Sequence, residues 1–160
     1  MSSLAVKAMN ESCSVVDGGT MGVYSNSFNI KTKGEIQILD ITDNVSTVIR
    51  ESGFRSGLAC IFTPGSTCAV TTTEYEPGLL MDIPEALERL FPRNKKYKHN
   101  DTWHDGNGHS HVRAAFLGPS ITIPFDGGRL ELGTWQQLIF VELDIRPRQR
   151  EIHVKIIGET

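Results

Sequence analysis

The segment from residue 99 to residue 111 combines side chains that can bind a metal ion or transfer a proton. Four of the five histidines of the chain lie in it, namely His99, His104, His109 and His111. They are interleaved with Asp101, Asp105 and Asn107. Neutral imidazole binds metals or moves protons near pH 7, and carboxylates orient it or add charge. The segment is therefore the predicted functional site.

The spacing of His109 and His111 has two structural interpretations. In an extended chain, residues two apart project to the same side, so both imidazoles can chelate one ion. In a helix they lie about 200° apart, so only one faces the site, and Asn107 then precedes His111 by one turn. Two or three imidazoles with a carboxylate suit Zn²⁺ or a similar ion. A hydrogen-bonded polar loop or a subunit contact is the alternative without a metal.

The run Gly133-Thr134-Trp135-Gln136 predicts either a ligand pocket or a structural anchor. In an extended chain Thr134 and Gln136 face one side, where they can contact a ligand, and Trp135 faces the other. Trp135 is expected in the core or at a subunit interface, rather than as a stacking surface for a flat ring. If its ring is buried, replacement by alanine is expected to cost about 3–5 kcal/mol.

Glu142 is a carboxylate within the apolar run I-F-V-E-L-D. If it faces inward it needs a partner, because burial of an unpaired charge is costly, and an arginine or a metal could supply one. If it faces outward, the alternation of the strand places it in solvent.

The composition of the chain argues against several classes of function. Its 160 residues suit one domain with a single core. A net charge of −3 without a long basic run argues against nucleic-acid binding. Its apolar runs fall short of the ~20 residues that a membrane span requires. Three cysteines without C-x-x-C spacing predict free thiols and a cytoplasmic protein.

Hydrophobic patterning predicts an α+β fold with a largely antiparallel sheet and two to three short helices. Strands are predicted at 25–32, 35–41, 58–62, 67–74, 120–124, 130–132, 136–144 and 151–157, the first two paired around Lys33-Gly34. Helices are predicted from Thr42 to Gly53 and from Asp82 to Pro92, and the His-rich segment is expected to be a long loop. Residues 1–20 are expected to form an irregular extension, and residues 21–160 a single domain.

Six motifs carry a resemblance to a known family over about residues 25–158. They are G-S-T-C-A-V-T-T-T-E-Y-E-P-G, H-N-D, D-G-N-G-H-S-H-V-R-A-A-F-L-G, S-I-T-I-P, G-R-L-E-L-G-T-W-Q-Q and E-L-D-I-R-P-R-Q-R. On these residues the chain resembles the YjbQ family, and L-G-T-W-Q with the upstream H-x-H is the specific part. The resemblance implies an α+β homotrimer whose sheets pack around a threefold axis.

The resemblance also implies a weak thiamine-phosphate synthase activity, which joins a pyrimidine diphosphate to a thiazole phosphate. The leaving pyrophosphate calls for a divalent metal, Zn²⁺ or Mg²⁺, and for cationic side chains. The candidate cations are Arg146, Arg148 and Arg150 near one turn, with Arg113 and Arg129 elsewhere, and Arg148 is the predicted ligand contact among them. A solvated hairpin edge is the alternative role of the three arginines at the turn. The candidate catalytic residues are His99, His111 and Glu74, with Glu76 as an alternate carboxylate. The candidate metal ligands are His99, His109 and His111.

Two functions from different classes remain. The first is a metal-assisted or acid–base enzyme whose site lies at a subunit boundary and takes a small, phosphorylated molecule. Its predicted ligand contacts are Asn107, Thr134, Gln136 and Arg148. The second is a non-catalytic trimer that holds a metal ion or a small ligand at the same histidines. A pocket large enough for a substrate favours the enzyme, and a closed, fully coordinated ion favours the binding protein.

Overall fold

The structure, a computed structural model, describes residues 19–160 as eight strands and four helices. In chain order they are β1 (Met21–Lys31), β2 (Gln37–Asp40), α1 (Thr42–Ser52), β3 (Ser56–Phe62), β4 (Cys68–Thr73), α2 (Leu79–Leu90), α3 (Lys98–Trp103), α4 (Gly108–Leu117), β5 (Ser120–Asp126), β6 (Arg129–Leu130), β7 (Gln137–Glu142) and β8 (Gln149–Glu159). The α+β class is confirmed, with four short helices instead of two or three. Residues 1–18 of the extension predicted for residues 1–20 lie outside the described residues.

The strands form two antiparallel sheets. The larger sheet has the strand order β1-β8-β3-β5-β6, and the smaller one has the order β2-β7-β4. β1 pairs with β8 along its whole length, whereas β2 pairs with β7. The expected pairing of the first two strands is therefore wrong. After β1 the backbone N–H of Thr32 still bonds the carbonyl of Arg148 at 2.8 Å, and the chain then passes to the other sheet.

The smaller sheet is the middle layer of the molecule, because alternate residues of its strands face opposite sides. Cys68, Val70 and Phe140 pack in the main core with residues of α1 and the larger sheet. Ala69 and Val141 pack instead in a second core with residues of α2 and α4. The smaller sheet thus supports the helix that carries His111. Within residues 19–160, the helices are too short or too polar to cross a membrane.

The second helix begins earlier than predicted. The sequence suggested a start at Asp82, but α2 begins at Leu79. The Glu76 carboxylate accepts the backbone N–H groups of Gly78, at 2.7 Å, and of Leu79. It therefore satisfies donors that have no partner within the helix. This gives Glu76 a structural role at the start of α2.

The His-rich segment is not a long loop, since it folds into α3 and α4 with a compact turn between them. The side-chain oxygen of Asn100 accepts a hydrogen bond from the backbone N–H of Gly108 at 2.9 Å. The backbone carbonyl of Asn100 accepts one from the backbone N–H of His104 at 3.0 Å. A Cβ added at Gly108 would lie 2.5 Å from Cβ of Tyr97, so the two helices meet where there is room only for glycine. This close approach brings the polar side chains of both helices together.

Candidate metal centre

His99, Asp105 and His111 form a cluster where α3 and α4 meet. One donor atom of each residue lies within 4.8 Å of those of the other two. The ring centroids of His99 and His111 are 4.3 Å apart, and Nε2 of His99 is 3.4 Å from Oδ1 of Asp105. All three residues are partly exposed, so the cluster can be reached from solvent. Two imidazoles and a carboxylate are a donor set typical of first-row transition metals with open coordination positions.

Asn107 forms hydrogen bonds with two members of this cluster. With its amide nitrogen turned toward the cluster, it donates to Oδ1 of Asp105 at 2.9 Å and to Nε2 of His99 at 3.2 Å. The residue is buried, so these bonds satisfy an amide that water does not reach. The predicted ligand contact Asn107 therefore lies beside the histidines and holds two of the three cluster members in place.

The environment of His111 favours its neutral form. Burial lowers the pKa of the imidazole below its usual value of 6.5, and the neighbouring His99 lowers it further. Asp105 and Asp144 oppose the shift through their negative charges but do not cancel it. A neutral imidazole is the form that ligates metals. His111 is thus available as a ligand or proton acceptor at neutral pH.

His109 does not join the cluster. The segment is helical, so His109 and His111 project about 200° apart, as the helical interpretation of their spacing requires. His109 is fully buried, and its Nε2 lies 2.7 Å from Oε2 of Glu35. The structure therefore brings together His99 and His111 of the three candidate metal ligands and places His109 on the opposite side of α4.

A pocket of about 260 Å³ opens next to the cluster. Its lining residues, mostly small or apolar, are Gly65, Ser66, Cys68, His111, Ala114, Ala115 and Pro119. Because His111 borders the pocket and belongs to the cluster, a molecule in the pocket would contact one member of the cluster. Burial raises the pKa of the Cys68 thiol, an effect that the Thr63 hydrogen bond and the Arg150 charge only partly offset. Cys68 therefore contributes an uncharged thiol to the lining of the pocket near neutral pH.

Glu74, Thr134 and Gln136 lie far from the cluster within one chain. The pocket borders Cys68, the first residue of β4, whereas Glu74 follows the last residue of that strand. The six intervening steps of strand span about 20 Å at ~3.3 Å per residue. Gln136 lies at the Glu74 end, since its Nε2 is 3.4 Å from Oγ1 of Thr72. The structure does not bring these three predicted residues to the histidines of the same chain.

Trp135 projects from a turn at this far end. The side chain of Gln136 accepts the backbone N–H of Gly133 at 2.9 Å, and β7 begins only at Gln137. The side chain of Trp135 is 69% exposed. The prediction that Trp135 is buried in the core of its own chain is therefore wrong, because the turn exposes the ring to solvent. A place at a subunit interface stays a prediction.

Arg148 belongs to a charge network behind the pocket. Its Nε and Nη2 lie 2.9 and 2.8 Å from Oδ2 of Asp144. Arg150 donates to Glu142 at 2.8 and 2.6 Å, and Thr67 bonds both Asp144 and Arg150. Burial raises the pKa of Asp144, but hydrogen bonds from Arg148 and Thr67 outweigh it and lower the pKa overall. The charge of Arg148 is thus balanced by a carboxylate, and the inward-facing Glu142 has an arginine as its partner.

Asp105 is the cluster member that the predicted ligand set omitted. Asp105 stands midway between His99 and His111 in the sequence, and this position was the sequence feature that could have indicated it as a ligand. The feature does not single out Asp105, because Asp101 also lies between the two histidines. In the structure Asp101 is exposed on α3 and stays outside the cluster. Only the compact turn between the helices selects Asp105.

Comparison with known proteins supports the resemblance seen in the motifs. Residues 26–159 match the family model described as UPF0047 protein YjbQ-like. A UPF0047 protein of Methanothermobacter thermautotrophicus is 41% identical over 142 residues, which cover 89% of this chain and 97% of the relative. One from Archaeoglobus fulgidus is 41% identical over 128 residues, covering 80% and 97%.

Solved structures share the same fold. A YbjQ-like protein of unknown function from Sulfolobus solfataricus superposes with a TM-score of 0.83 at 36% identity, covering 88% of this chain and all of that one. A hypothetical protein from Aeropyrum pernix gives 0.79 at 39% identity, covering 85% and 99%. With its motifs, its sheets and nearly its whole described length matched, the chain belongs to the YjbQ-like family of UPF0047 proteins.

Proposed function

We propose that the chain binds one transition-metal ion through His99, Asp105 and His111 and uses the exposed side of that ion for catalysis on a small molecule. The observation that carries the proposal is the convergence of two imidazoles and one carboxylate within 4.8 Å, two of which Asn107 contacts by hydrogen bonds. Three protein ligands with a remaining open position are typical of catalytic zinc sites. When bound, such an ion supplies Lewis-acid chemistry toward a carbonyl or phosphoryl oxygen.

The donor set favours Zn²⁺ over Mg²⁺. Magnesium prefers oxygen ligands and usually keeps several waters, whereas imidazole suits Zn²⁺ and its neighbours in the first transition row. The lowered pKa of His111 supports this choice, because the ligand form of the imidazole is already present at neutral pH. In this proposal His99 and His111 hold the ion, and Asp105 contributes the single negative charge.

The pocket beside His111 is the proposed place for the substrate. Its volume of about 260 Å³ suits a small molecule, and its lining includes His111 of the cluster. Thiamine-phosphate synthesis, the narrower activity implied by the resemblance, has less support. Its pyrophosphate leaving group needs cationic side chains, and Arg148 already pairs with Asp144. The non-catalytic alternative, a protein that only holds the ion, has no support from the open geometry of the cluster.

The purified protein is expected to bind one Zn²⁺ per chain. Metal-free protein prepared with a chelator would be titrated with Zn²⁺ by calorimetry, and the metal content of the reloaded protein measured by mass spectrometry. His104→Ala is the matched control, because His104 is exposed on the turn after α3 and lies outside the cluster. A wild-type protein that binds no more Zn²⁺ than a His99→Ala variant would contradict the proposal.

We further propose that the active unit is a cytoplasmic homotrimer in which a neighbouring copy supplies Glu74, Thr134 and Gln136 to the histidines. In their own chain these residues lie at the opposite end of β4 from Cys68 and the pocket, so a neighbouring copy is the way to join them to the histidines. Large apolar side chains are exposed as well, as expected of a surface that another chain covers. They include Val23, Leu58, Trp135 and Ile157. Among the described cysteines, Cys60 and Cys68 are free thiols, which fits a reducing compartment.

Replacing Trp135 by alanine is expected to weaken this trimer and to leave the fold of each chain intact. The ring is 69% exposed in the single chain, so its loss creates no cavity there, whereas an aromatic side chain at an interface is often central to binding. Light scattering should give three times the chain mass of 17.7 kDa for the wild type and a lower mass for the variant. Trp103→Ala, at an equally exposed tryptophan, is the control. A monomeric wild type would contradict the trimer.

A further inference from the structure

A second polar centre lies on the face of α4 opposite His111, and it is almost completely buried. Its members are Glu35, His109 and Arg113, which we name the buried tether. The side chains of His109 and Arg113 are 0% and 1% exposed, and that of Glu35 is 8% exposed. Oε2 of Glu35 lies 2.7 Å from Nε2 of His109 and 3.3 Å from Nη1 of Arg113. Since a carboxylate only accepts hydrogen bonds, both side chains of the helix donate to Glu35.

The buried tether connects α4 to two distant parts of the chain. Glu35 precedes β2 by two residues and comes from the crossing between the two sheets. Arg113 also donates to the carbonyl of Phe91, through Nε at 3.1 Å and Nη2 at 2.8 Å, and to Glu88 at 2.5 Å. Glu88 lies in the last turn of α2, and Phe91 directly follows that helix. The helix is therefore held by hydrogen bonds at one turn, His109 to Arg113, from two sides.

Apolar packing is only part of what fixes the rotation of α4. The residues of α4 that are buried are Gly108, His109, Ser110, Arg113 and Ala114. Ala114 packs in the second core, Leu117 is partly buried against the same core, and the ring centroid of Phe116 lies 4.7 Å from that of Phe91. These apolar contacts lie toward the C-terminal end of α4, whereas the directional hydrogen bonds of the buried tether fix the angle of its earlier turns about the helix axis.

The rotation of α4 determines where His111 points. Residues two apart on a helix differ by about 200° in direction, so fixing His109 toward Glu35 fixes His111 toward His99 and Asp105. His111 is the cluster member contributed by α4, because His99 and Asp105 lie on α3 and the following turn. A small change in helix angle would therefore separate the donor atoms.

We propose that Glu35 is a positioning residue for the metal centre, acting through His109 and Arg113 to aim His111 at the ion. This inference rests on the proposed metal site and extends it to a residue 76 positions from His111 in the sequence, in a different layer of the molecule. It also assigns the buried His109 the role of an orienting contact in place of a metal ligand.

The experiment measures Co²⁺ binding, because the visible absorption of protein-bound Co²⁺ reports ligand geometry independently of stability. Glu35→Gln keeps the size of the side chain but replaces the carboxylate that accepts both bonds. We expect its affinity for Co²⁺ to fall about tenfold, with a changed absorption band, at a temperature where the variant is folded. Glu85→Gln, the same change at an exposed position of α2, should bind like the wild type. A folded Glu35→Gln protein with wild-type affinity and spectrum would overturn the positioning role alone.

A second pair of variants keeps the proposal testable if Glu35→Gln does not fold. His109→Gln places an amide N–H donor near the position of Nε2, so it should retain Co²⁺ binding, whereas His109→Ala should weaken it. Equal weakening in both variants would show that the imidazole itself is needed and would overturn the proposal. Failure of the wild type to bind Co²⁺ would instead overturn the metal site, and the positioning role with it.

Discussion

Replacing His111 by alanine is expected to weaken Zn²⁺ binding by more than about 100-fold. The variant removes one of three ligands, and even outer contacts of a metal site commonly contribute 10- to 100-fold in affinity. The free energy of unfolding of the metal-free protein should change by about 1 kcal/mol or less, because the side chain is partly exposed. Calorimetric titration and thermal unfolding, with and without Zn²⁺, measure the two effects separately.

The loss should be specific to the cluster. His104 lies on the turn between α3 and α4, and His104→Ala should retain the wild-type affinity because His104 does not contribute to the cluster. The His111→Ala variant should also lose any turnover that depends on Zn²⁺. If it binds Zn²⁺ as tightly as the wild type, His111 is not a ligand, and the site would have to lie elsewhere.

The lowered pKa of His111 sets the direction of the pH dependence. A proton on the imidazole competes with the metal ion, so affinity falls as pH decreases through the pKa. Because that pKa lies below 6.5 in the folded protein, proton competition at His111 should be small at pH 7 and increase only under more acidic conditions. In the metal-free protein the same shift means that protonation disfavours the folded state, so stability decreases as pH falls below about 6.5.

Replacing Glu142 by glutamine is expected to reduce the free energy of unfolding by about 3–5 kcal/mol. Glu142 is completely buried, and it accepts hydrogen bonds from Arg150, from Thr32 at 2.8 Å and from the backbone N–H of Asp144 at 2.9 Å. Removing the negative charge leaves the guanidinium of Arg150, which is 12% exposed, without its main partner. For a domain of this size the loss corresponds to a fall in Tm of roughly 6–20 °C.

A matched control distinguishes a buried ion pair from a general effect of the substitution. Glu131→Gln makes the same chemical change at an exposed carboxylate and should alter stability by no more than about 0.5 kcal/mol. Urea unfolding followed by circular dichroism gives both values. An unchanged midpoint for Glu142→Gln would show that Arg150 and Glu142 are not coupled in solution.

Sequence patterns were sufficient to predict elements whose formation depends on residues close together in the chain. The apolar face of α1, with Val45, Val48 and Ile49, and its glycine end at Gly53 were visible in the sequence and are present in the structure. Most strands also fall near their predicted positions, because alternation and β-branched residues are local signals. The start of α2 was missed because its N–H groups are satisfied by Glu76, a contact that depends on the turn before the helix.

Pairing between distant residues was not available to these patterns. The first two strands are neighbours in sequence, yet β1 lies beside β8 and β2 beside β7, about 100 positions or more away. The spacing of His109 and His111 permitted both a shared metal site and two opposite directions. The helical conformation of α4 places the two side chains in opposite directions. No local sequence pattern indicated Glu35 as the partner of His109.

The sequence by itself determined that polar chemistry concentrates between residues 99 and 111, that the fold is α+β, and that the chain resembles the YjbQ family. Residue types, their periodicity and their motifs carry this information directly. The tertiary structure alone decided which side chains meet: Asp105 with His99 and His111, Glu35 with His109, and Arg150 with Glu142. The physical reason is that hydrogen bonds and metal-ligand geometry require contacts within a few ångströms. Those contacts arise from the packing of helices and sheets that lie far apart in the chain.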